Sequence, residues 1–285
     1  MIDIPLWIWL QALVQGITEF LPISSTGHLG LSWALLEGFG FEIPSEQQQQ
    51  VLDIALHVGT LGAVIAYFFG DLVRVAAGGI ALFTSDQSRP DPRSLLFVRL
   101  VVASVPAFLI GILITEFREL YKNDMALIAF TTLAFGVLLW IADRFFWSTK
   151  KMRHMSLLGA FFIGLMQCLA FIPGVSRSGI TITAARFLGL ERVEATRFSM
   201  LLSVPLILGI GTFATINLIQ NGEFALAWDA LIAAILAFLI ALAAIHVLME
   251  LSKRASFLPF VLYRLALGTL IYLALIFDWL PQGAT

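Results

Sequence analysis

Apolar residues fall in blocks along this chain, and the blocks are as long as a bilayer is thick. A helix needs roughly 20 mostly apolar residues to cross about 30 Å of hydrocarbon, at about 1.5 Å per residue. Six stretches meet that length: 51–70, 95–115, 125–147, 198–219, 225–250 and 257–280. Polar punctuation separates them at 84–94, 116–124, 148–154, 221–223 and 252–256. Two further apolar regions, 5–36 and 155–190, are interrupted halfway by proline, glycine and a run of small polar residues. Irregular backbone at membrane depth survives only where protein or a water-filled cavity surrounds it, so each region predicts a re-entrant pair of half-helices. The pattern predicts an all-α polytopic membrane protein with six transmembrane helices plus two re-entrant helix pairs.

The order of these elements repeats. Residues 1–147 hold the re-entrant segment 5–36 and the spans 51–70, 95–115 and 125–147, and residues 148–285 hold the re-entrant segment 155–190 and the spans 198–219, 225–250 and 257–280. An odd number of spans between the two hairpins turns the second half over, which predicts an inverted-topology repeat inside one membrane domain, 1–285. The hairpins would then enter from opposite sides and their polar tips could meet near the midplane. Short strings echo each other in support: Gln15, Phe20-Leu21-Pro22, Ser24, Thr26 and Gly27 against Gln167, Phe171-Ile172-Pro173, Ser176, Ser178 and Gly179. The interval from Gln to Gly is twelve residues in both strings.

Composition sharpens the class. Hydrophobic residues make up 59% of the 285 positions and charged residues 13%, against about 25% charge in an ordinary soluble domain. A water-soluble globular enzyme is excluded. Seventeen Lys and Arg against nineteen Asp and Glu leave a formal net charge of −2, so no basic surface offers itself to nucleic acid. Cys168 is the only cysteine, which excludes an internal disulfide and any multi-cysteine metal site. No basic region precedes the first apolar stretch and no small-residue cleavage site follows it, so the first residues read as part of the mature protein. Basic residues bias the orientation: Arg74, Arg89 and Arg93, then Lys150, Lys151 and Arg153, then Arg192 and Arg197, then Lys253 and Arg254 fall on one side, read as cytoplasmic. The other side holds Arg118 and Lys122 among Glu116, Glu119 and Asp124, and both termini fall there, outside the cytoplasm.

The chemistry concentrates at the two tips. Gln15 and Glu19 stand four apart and share a helix face. A carboxylate at a helix centre in the membrane costs about 2.5–3.5 kcal/mol on insertion scales, so Glu19 needs a cation, a hydrogen-bonding site or water, and is a candidate catalytic group. After Pro22, the hydroxyls of Ser24, Ser25 and Thr26 and the backbone around Gly27 can hold phosphate oxygens at a helix start. His28 adds a group that exchanges a proton near neutral pH. In the second tip, Arg177 lies among Ser176, Ser178 and Gly179. Its planar fork matches phosphate bidentately, and it either waits for an anion or pairs with Glu19. Asp53 and His57 form a further pair four apart, with Asp53 read as solvated and His57 as a substrate-binding residue one layer back. Residues 47–50 read as a solvated connection, and Asp143, Arg144, Glu250, Arg264 and Asp278 as helix-end charges that snorkel.

The strings QGITEFLPISSTGH (15–28) and PGVSRSGIT (173–181) resemble the two signature segments of the undecaprenyl-diphosphatase family, the bacitracin-resistance proteins of bacterial membranes. DIALHVGTL (53–61), RFSMLLSVP (197–205), Tyr263-Arg264 and Leu267-Gly268 resemble further family segments, so the likeness runs over nearly the whole chain. It implies an enzyme of the cytoplasmic membrane that hydrolyses undecaprenyl diphosphate to undecaprenyl phosphate and inorganic phosphate, recycling the lipid carrier of cell-wall synthesis. It also implies an active site open to the outer side and dependence on a divalent cation, which we read as Mg²⁺ or Ca²⁺ at Glu19. Substrate and membrane lipid are the expected partners, with room for a homodimer. The family takes Glu or Gln at the position of Gln15, so Gln here moves the weight to Glu19.

Diphosphate hydrolysis needs neutralised phosphates, an aligned nucleophile and a stabilised leaving oxygen. Arg177 with Ser176, Ser178 and backbone N–H groups would grip the diphosphate while Glu19, through the cation, completes the charge balance. Ser25 or a water attacks with His28 as base, or His28 attacks directly through a phosphohistidine. The rival reading is a polyprenyl-phosphate transporter or flippase of the same architecture. It needs Arg177 but not Glu19, Ser25 and His28 together. Phosphatidic-acid-type phosphatases are set aside, since the chain has neither their Lys-x₆-Arg-Pro nor their Arg-x₅-His-x₃-Asp element.

Overall fold

The computed structural model describes residues 5–84, 92–113, 124–146, 148–221 and 227–279. Arg89, Glu116, Arg118, Glu119 and Lys122, which enter the orientation count, lie outside the described residues, as do both ends of the chain. Among the described residues there are eleven α-helices and no strand: α1 (Leu6–Thr18), α2 (Ser25–Gly38), α3 (Glu46–Tyr67), α4 (Phe69–Thr84), α5 (Pro92–Leu113), α6 (Met125–Phe145), α7 (Leu157–Gln167), α8 (Arg177–Phe187), α9 (Arg192–Asn221), α10 (Ala227–Arg254) and α11 (Leu258–Ile276). Six of them, α3, α5, α6, α9, α10 and α11, are long and apolar enough to cross a bilayer. They fall on the six predicted spans.

Two boundaries differ from the sequence reading. Helix α3 begins at Glu46, because Ser45 and Gln48 form a reciprocal capping box: Ser45 N donates to Gln48 Oε1 at 3.0 Å and Gln48 N to Ser45 Oγ at 3.4 Å. Residues 47–50 are therefore helix rather than connection. Helix α4 was not expected at all. Its Gly78-Gly79 pair marks a close helix contact: a Cβ on Gly78 would collide with the Arg93 carbonyl, and Ser94 Oγ donates to Gly78 O at 2.9 Å.

Inside a bilayer, helices gain little from hiding apolar surface and associate by close packing, which small residues permit. Ala233, Ala237 and Ala241 form a buried stripe at four-residue spacing on α10, which packs along α3 and against α1. Gly59 of α3 lies so close to α10 that a Cβ would strike the Ala234 carbonyl. Helix α7 packs on α5, and Gly164 approaches the Ala103 carbonyl in the same manner. Helices α6 and α11 run together. Helix α8 contacts α6, α7 and α9, and is buried from Ser178 to Arg186.

Asp143 is not a snorkelling helix-end charge. It is 7% exposed, pairs with Arg186 Nε at 3.1 Å and Arg192 Nε at 2.7 Å, and accepts Phe257 N–H at 3.0 Å. It joins the ends of α6 and α8 to the starts of α9 and α11. Arg144 and Asp278 are exposed, as expected, and Glu250 pairs with Lys253 at 2.5 Å and Arg254 at 3.5 Å.

Candidate active site

Two broken helix pairs make the site. Helix α1 stops at Thr18 and Pro22 follows within the turn, so the chain cannot continue helically. Ser24, at φ 77°, then caps α2. In the second pair, α7 gives way to a 3-10 turn over Cys168–Phe171, then Pro173 and Gly174, and Ser176 caps α8 at φ 72°. A left-handed conformation costs a non-glycine residue about 1–3 kcal/mol, and it persists only where surrounding contacts over-determine it. Here it occurs twice, nine residues after Gln15 and nine after Gln167. Gly174 is required as glycine: its φ is 86°, and a Cβ would collide with Thr131 Oγ1.

The two turns touch. Ser178 Oγ donates to Leu21 O at 2.9 Å, and Thr131 Oγ1 to Pro173 O at 2.6 Å. The strongest tie is Arg264, read from the sequence as a snorkelling residue and found fully buried, with 0% exposure. Its Nη1 donates to Pro22 O of the first turn at 3.2 Å and to Val175 O of the second at 3.0 Å. Its Nη2 donates to Gly174 O at 2.9 Å and Thr131 O at 3.4 Å, and its Nε to Thr132 O at 3.1 Å. All of these acceptors are carbonyls, so a whole positive charge is held between the turns by backbone dipoles. Gly136 and Gly179 make room for it, since a Cβ on either would lie 3.1–3.2 Å from Arg264 atoms.

Glu19, 8% exposed, is the centre of the polar cluster. The first residue of each broken helix reaches it: Ser25 Oγ donates to Oε2 at 3.0 Å, and Arg177 Nη2 to Oε1 at 2.7 Å. Gln15 Nε2 donates to Oε2 at 2.9 Å from one turn back on α1. His57 Nδ1 donates to Asp53 O at 2.6 Å, which fixes the ring and leaves Nε2 3.7 Å from Glu19 Oε2. His57 thus stands directly beside Glu19, not a layer behind it. Arg177 uses only one end of its fork, because Nη1 is buried with no hydrogen-bond partner among the described residues. Its Cζ lies 5.7 Å from the centre of the Phe20 ring.

His28, expected as base or nucleophile, has both ring nitrogens engaged. Nδ1 lies 2.6 Å from Ser24 O and therefore carries the proton, while Nε2 accepts from Tyr263 O–H at 2.7 Å, with the two rings stacked. Both nitrogens are engaged and the Ser25 hydroxyl is bonded to Glu19 instead. Ser24 and Thr26 share a 3.3 Å hydroxyl contact, and Thr26 is exposed. Ser176 and Ser178 share the matching contact at 3.2 Å. Ser176 Oγ also accepts Gly179 N–H at 3.1 Å, so the hydroxyls of this pair serve the cap and the junction. Gly27 is buried, and a Cβ there would lie 3.1 Å from Ile128.

Sequence reasoning missed Arg264 and Tyr263 as parts of this cluster. The available signal was their adjacency on one helix, in a stretch resembling a family segment. Among the described residues no three His, Cys, Asp or Glu side chains converge on one point. The arrangement joins a buried acid, a hydroxyl that donates to it, a half-used guanidinium and two helix starts.

The chain matches the family described as bacitracin resistance protein BacA over residues 8–270. It is 44% identical over 264 residues to undecaprenyl-diphosphatase 1 of Rhodospirillum rubrum, covering 92% of each chain. It is 45% identical over 266 residues to the undecaprenyl-diphosphatase of Jannaschia sp., covering 93% of this chain and 96% of that one. The undecaprenyl-diphosphatase of Saccharophagus degradans is likewise 45% identical over 262 residues, with 90% and 93% covered. With a likeness running from α1 to α11 and through both turns, the chain belongs to the bacitracin resistance protein BacA family.

Proposed function

We propose that this protein is a membrane undecaprenyl-diphosphatase, releasing inorganic phosphate from undecaprenyl diphosphate and returning undecaprenyl phosphate as lipid carrier. The observation that carries this reading is the half-used fork of Arg177, whose Nη1 has no partner while Nη2 holds Glu19 beside the Ser25 hydroxyl. A buried N–H without a partner is costly, about 1–3 kcal/mol, and a phosphate oxygen would satisfy it.

In the mechanism we infer, Arg177 and the N–H groups opening α2 and α8 receive the diphosphate. Ser25 Oγ attacks the terminal phosphorus as its proton passes to Glu19 Oε2. The bond from that phosphorus to the bridging oxygen breaks, and undecaprenyl phosphate departs with the electron pair. Water then attacks the phosphoserine, which restores the Ser25 hydroxyl and releases phosphate. The buried guanidinium of Arg264 offsets part of the negative charge that accumulates, and His57 stands beside Glu19. The donor set fits a divalent cation: Glu19 offers one carboxylate, and Gln15 Oε1 is a buried carbonyl oxygen without a partner. Mg²⁺ commonly takes one or two carboxylates and completes its shell with substrate phosphates and water. When bound, such an ion would add charge neutralisation on the phosphates.

The finer architecture belongs to the same proposal. We read α1 with α2 and α7 with α8 as re-entrant pairs of an inverted repeat, supported by the twin left-handed serines and by the matched packing of α1 on α10 and α7 on α5. The site opens to the outer side, on the strength of the basic connections at the other end. The lipid tail stays in the bilayer, at about 0.8 kcal/mol per buried CH₂.

The test is phosphate release from a prenyl diphosphate by the purified protein in detergent, beside Arg177→Ala and Ser25→Ala, with and without a chelator. Release by the wild type and its loss in both variants is the expected result. Binding of the lipid diphosphate without release under any metal condition would overturn it and favour the transporter.

A further inference from the structure

Helix α1 buries more polar groups than the reaction uses. Gln11, Gln15 and Glu19 follow one another at four-residue spacing, on one face of the chain over about 12 Å. Gln11 is 1% exposed and Gln15 0%. On α2, Leu29, Ser32, Trp33 and Leu36 form a buried face, and Ser32 meets Gln11 two helical turns back from the contact of Ser25 with Glu19.

Each of the two amides is satisfied at one end only. Ser32 Oγ lies 2.9 Å from Gln11 Oε1 and 2.8 Å from Leu29 O. A hydroxyl has one proton, so if Ser32 gives it to Leu29, the Gln11 amide turns over and donates to Ser32 instead. In either setting one end of that amide bonds Ser32, and the other is buried without a partner among the described residues. Gln15 Nε2 donates to Glu19 at 2.9 Å, which leaves Oε1 buried and likewise without a partner. Trp33 Nε1, next to Ser32 in sequence, is a further buried atom of this kind. Side chains at i and i+4 start about 5–6 Å apart at Cβ, and one water bridges amides that do not reach each other directly. Buried polar atoms gathered in this way are the partners an internal water requires.

We propose that Gln11 and Ser32 are positioning residues for Glu19, with a buried water joining the free end of the Gln11 amide to Gln15 Oε1; this rests on the diphosphatase reading. With Oε1 held, the Gln15 amide keeps Nε2 on the carboxylate, and Glu19 Oε2 stays turned to Ser25. Without that hold the amide is free to turn over and set its oxygen against the carboxylate. A carbonyl oxygen has two lone pairs, so the water leaves one for a cation. Gln167 is the counterpart in the second helix pair. It is 1% exposed with both amide atoms unpartnered among the described residues, but Phe171 stands where the acid would, so it has no carboxylate to aim.

The experiment measures kcat and KM for phosphate release from a prenyl diphosphate by the full-length protein in detergent. Gln11→Met keeps the length of the side chain and leaves Ser32 its bond to Leu29, so the thermal midpoint should not fall. Its kcat should drop about ten-fold with KM unchanged, the low end of what losing an outer hydrogen-bond partner does to activity. Ser32→Ala should lower kcat about three-fold, as loss of one neutral hydrogen bond does, and Ser32→Thr should restore it. Joined to Gln15→Met, Gln11→Met should cause no further loss, because it acts only through that amide. Gln167→Met should leave kcat as it is. An unchanged kcat in Gln11→Met, losses that multiply with Gln15→Met, or an equal loss in Gln167→Met would overturn the proposal. A wild type that releases no phosphate would overturn the diphosphatase reading instead. The bridge is then decided by electron density from crystals grown in lipid: a water within hydrogen-bond distance of both amides is expected, and its absence would overturn the positioning role.

Discussion

The two turns share a backbone and divide the chemistry. Each has a glutamine, a proline, a left-handed serine at a helix cap and a glycine twelve residues after the glutamine. Yet the position that opens the second half-helix is Ser25 in one and Arg177 in the other, and four residues after the glutamine stands Glu19 in one and Phe171 in the other. One scaffold thus presents an acid with a hydroxyl, and the other a cation. Both first residues converge on the same carboxylate. Two helix starts, each behind a left-handed serine, reach the same carboxylate with different side chains. The serine caps differ too: Ser176 accepts its own helix N–H, whereas Ser24 makes no such bond.

The largest expected effect tests whether the first turn holds the base. Glu19→Gln should lower kcat about 10²–10⁴-fold, the usual range for a positioned general base. A loss confined to KM would assign Glu19 to binding alone. Next, Arg177→Gln should lower phosphate release about 10²–10³-fold, as removal of a charge-stabilising donor does. Combined with Glu19→Gln, the losses should fall well short of multiplying, because the two groups are in contact; independent effects would separate the turns. Gly174→Ala should destabilise by about 1–3 kcal/mol through its left-handed φ, read as thermal unfolding in detergent, and more if the Thr131 contact cannot give. An unchanged midpoint would show that the second turn tolerates another backbone. Smallest, Ser176→Ala should cost about 1 kcal/mol of stability by loss of a cap, with Ser24→Ala costing less. Equal effects would erase the difference between the caps.

Much of this was legible along the chain. The six long helices follow from apolar runs, since a bilayer demands a fixed length of apolar residues whatever they pack against. Glu19, Ser25 and Arg177 stood out because polar groups in apolar surroundings need partners. Helix α4 was hidden because Gly78 and Gly79 serve equally well in a turn and at a close helix contact, and the difference lies in α5. Asp143 and Arg264 read as helix-end charges because position along one helix does not reveal what another lays over it.

The sequence by itself determined that this chain lives in a membrane, where its long helices run, that it holds two related polar strings, and to which family it belongs. Periodicity and length suffice for that, because they are properties of one segment and its solvent. Only the tertiary structure decided that Arg177 meets Glu19 across 158 residues and that Arg264 reaches Pro22 across 242. It likewise decided that Ser25 rests on the acid while His28 turns to Tyr263. Such contacts depend on how helices pack against one another, and a charge whose burial is compensated by distant carbonyls carries no local mark of it.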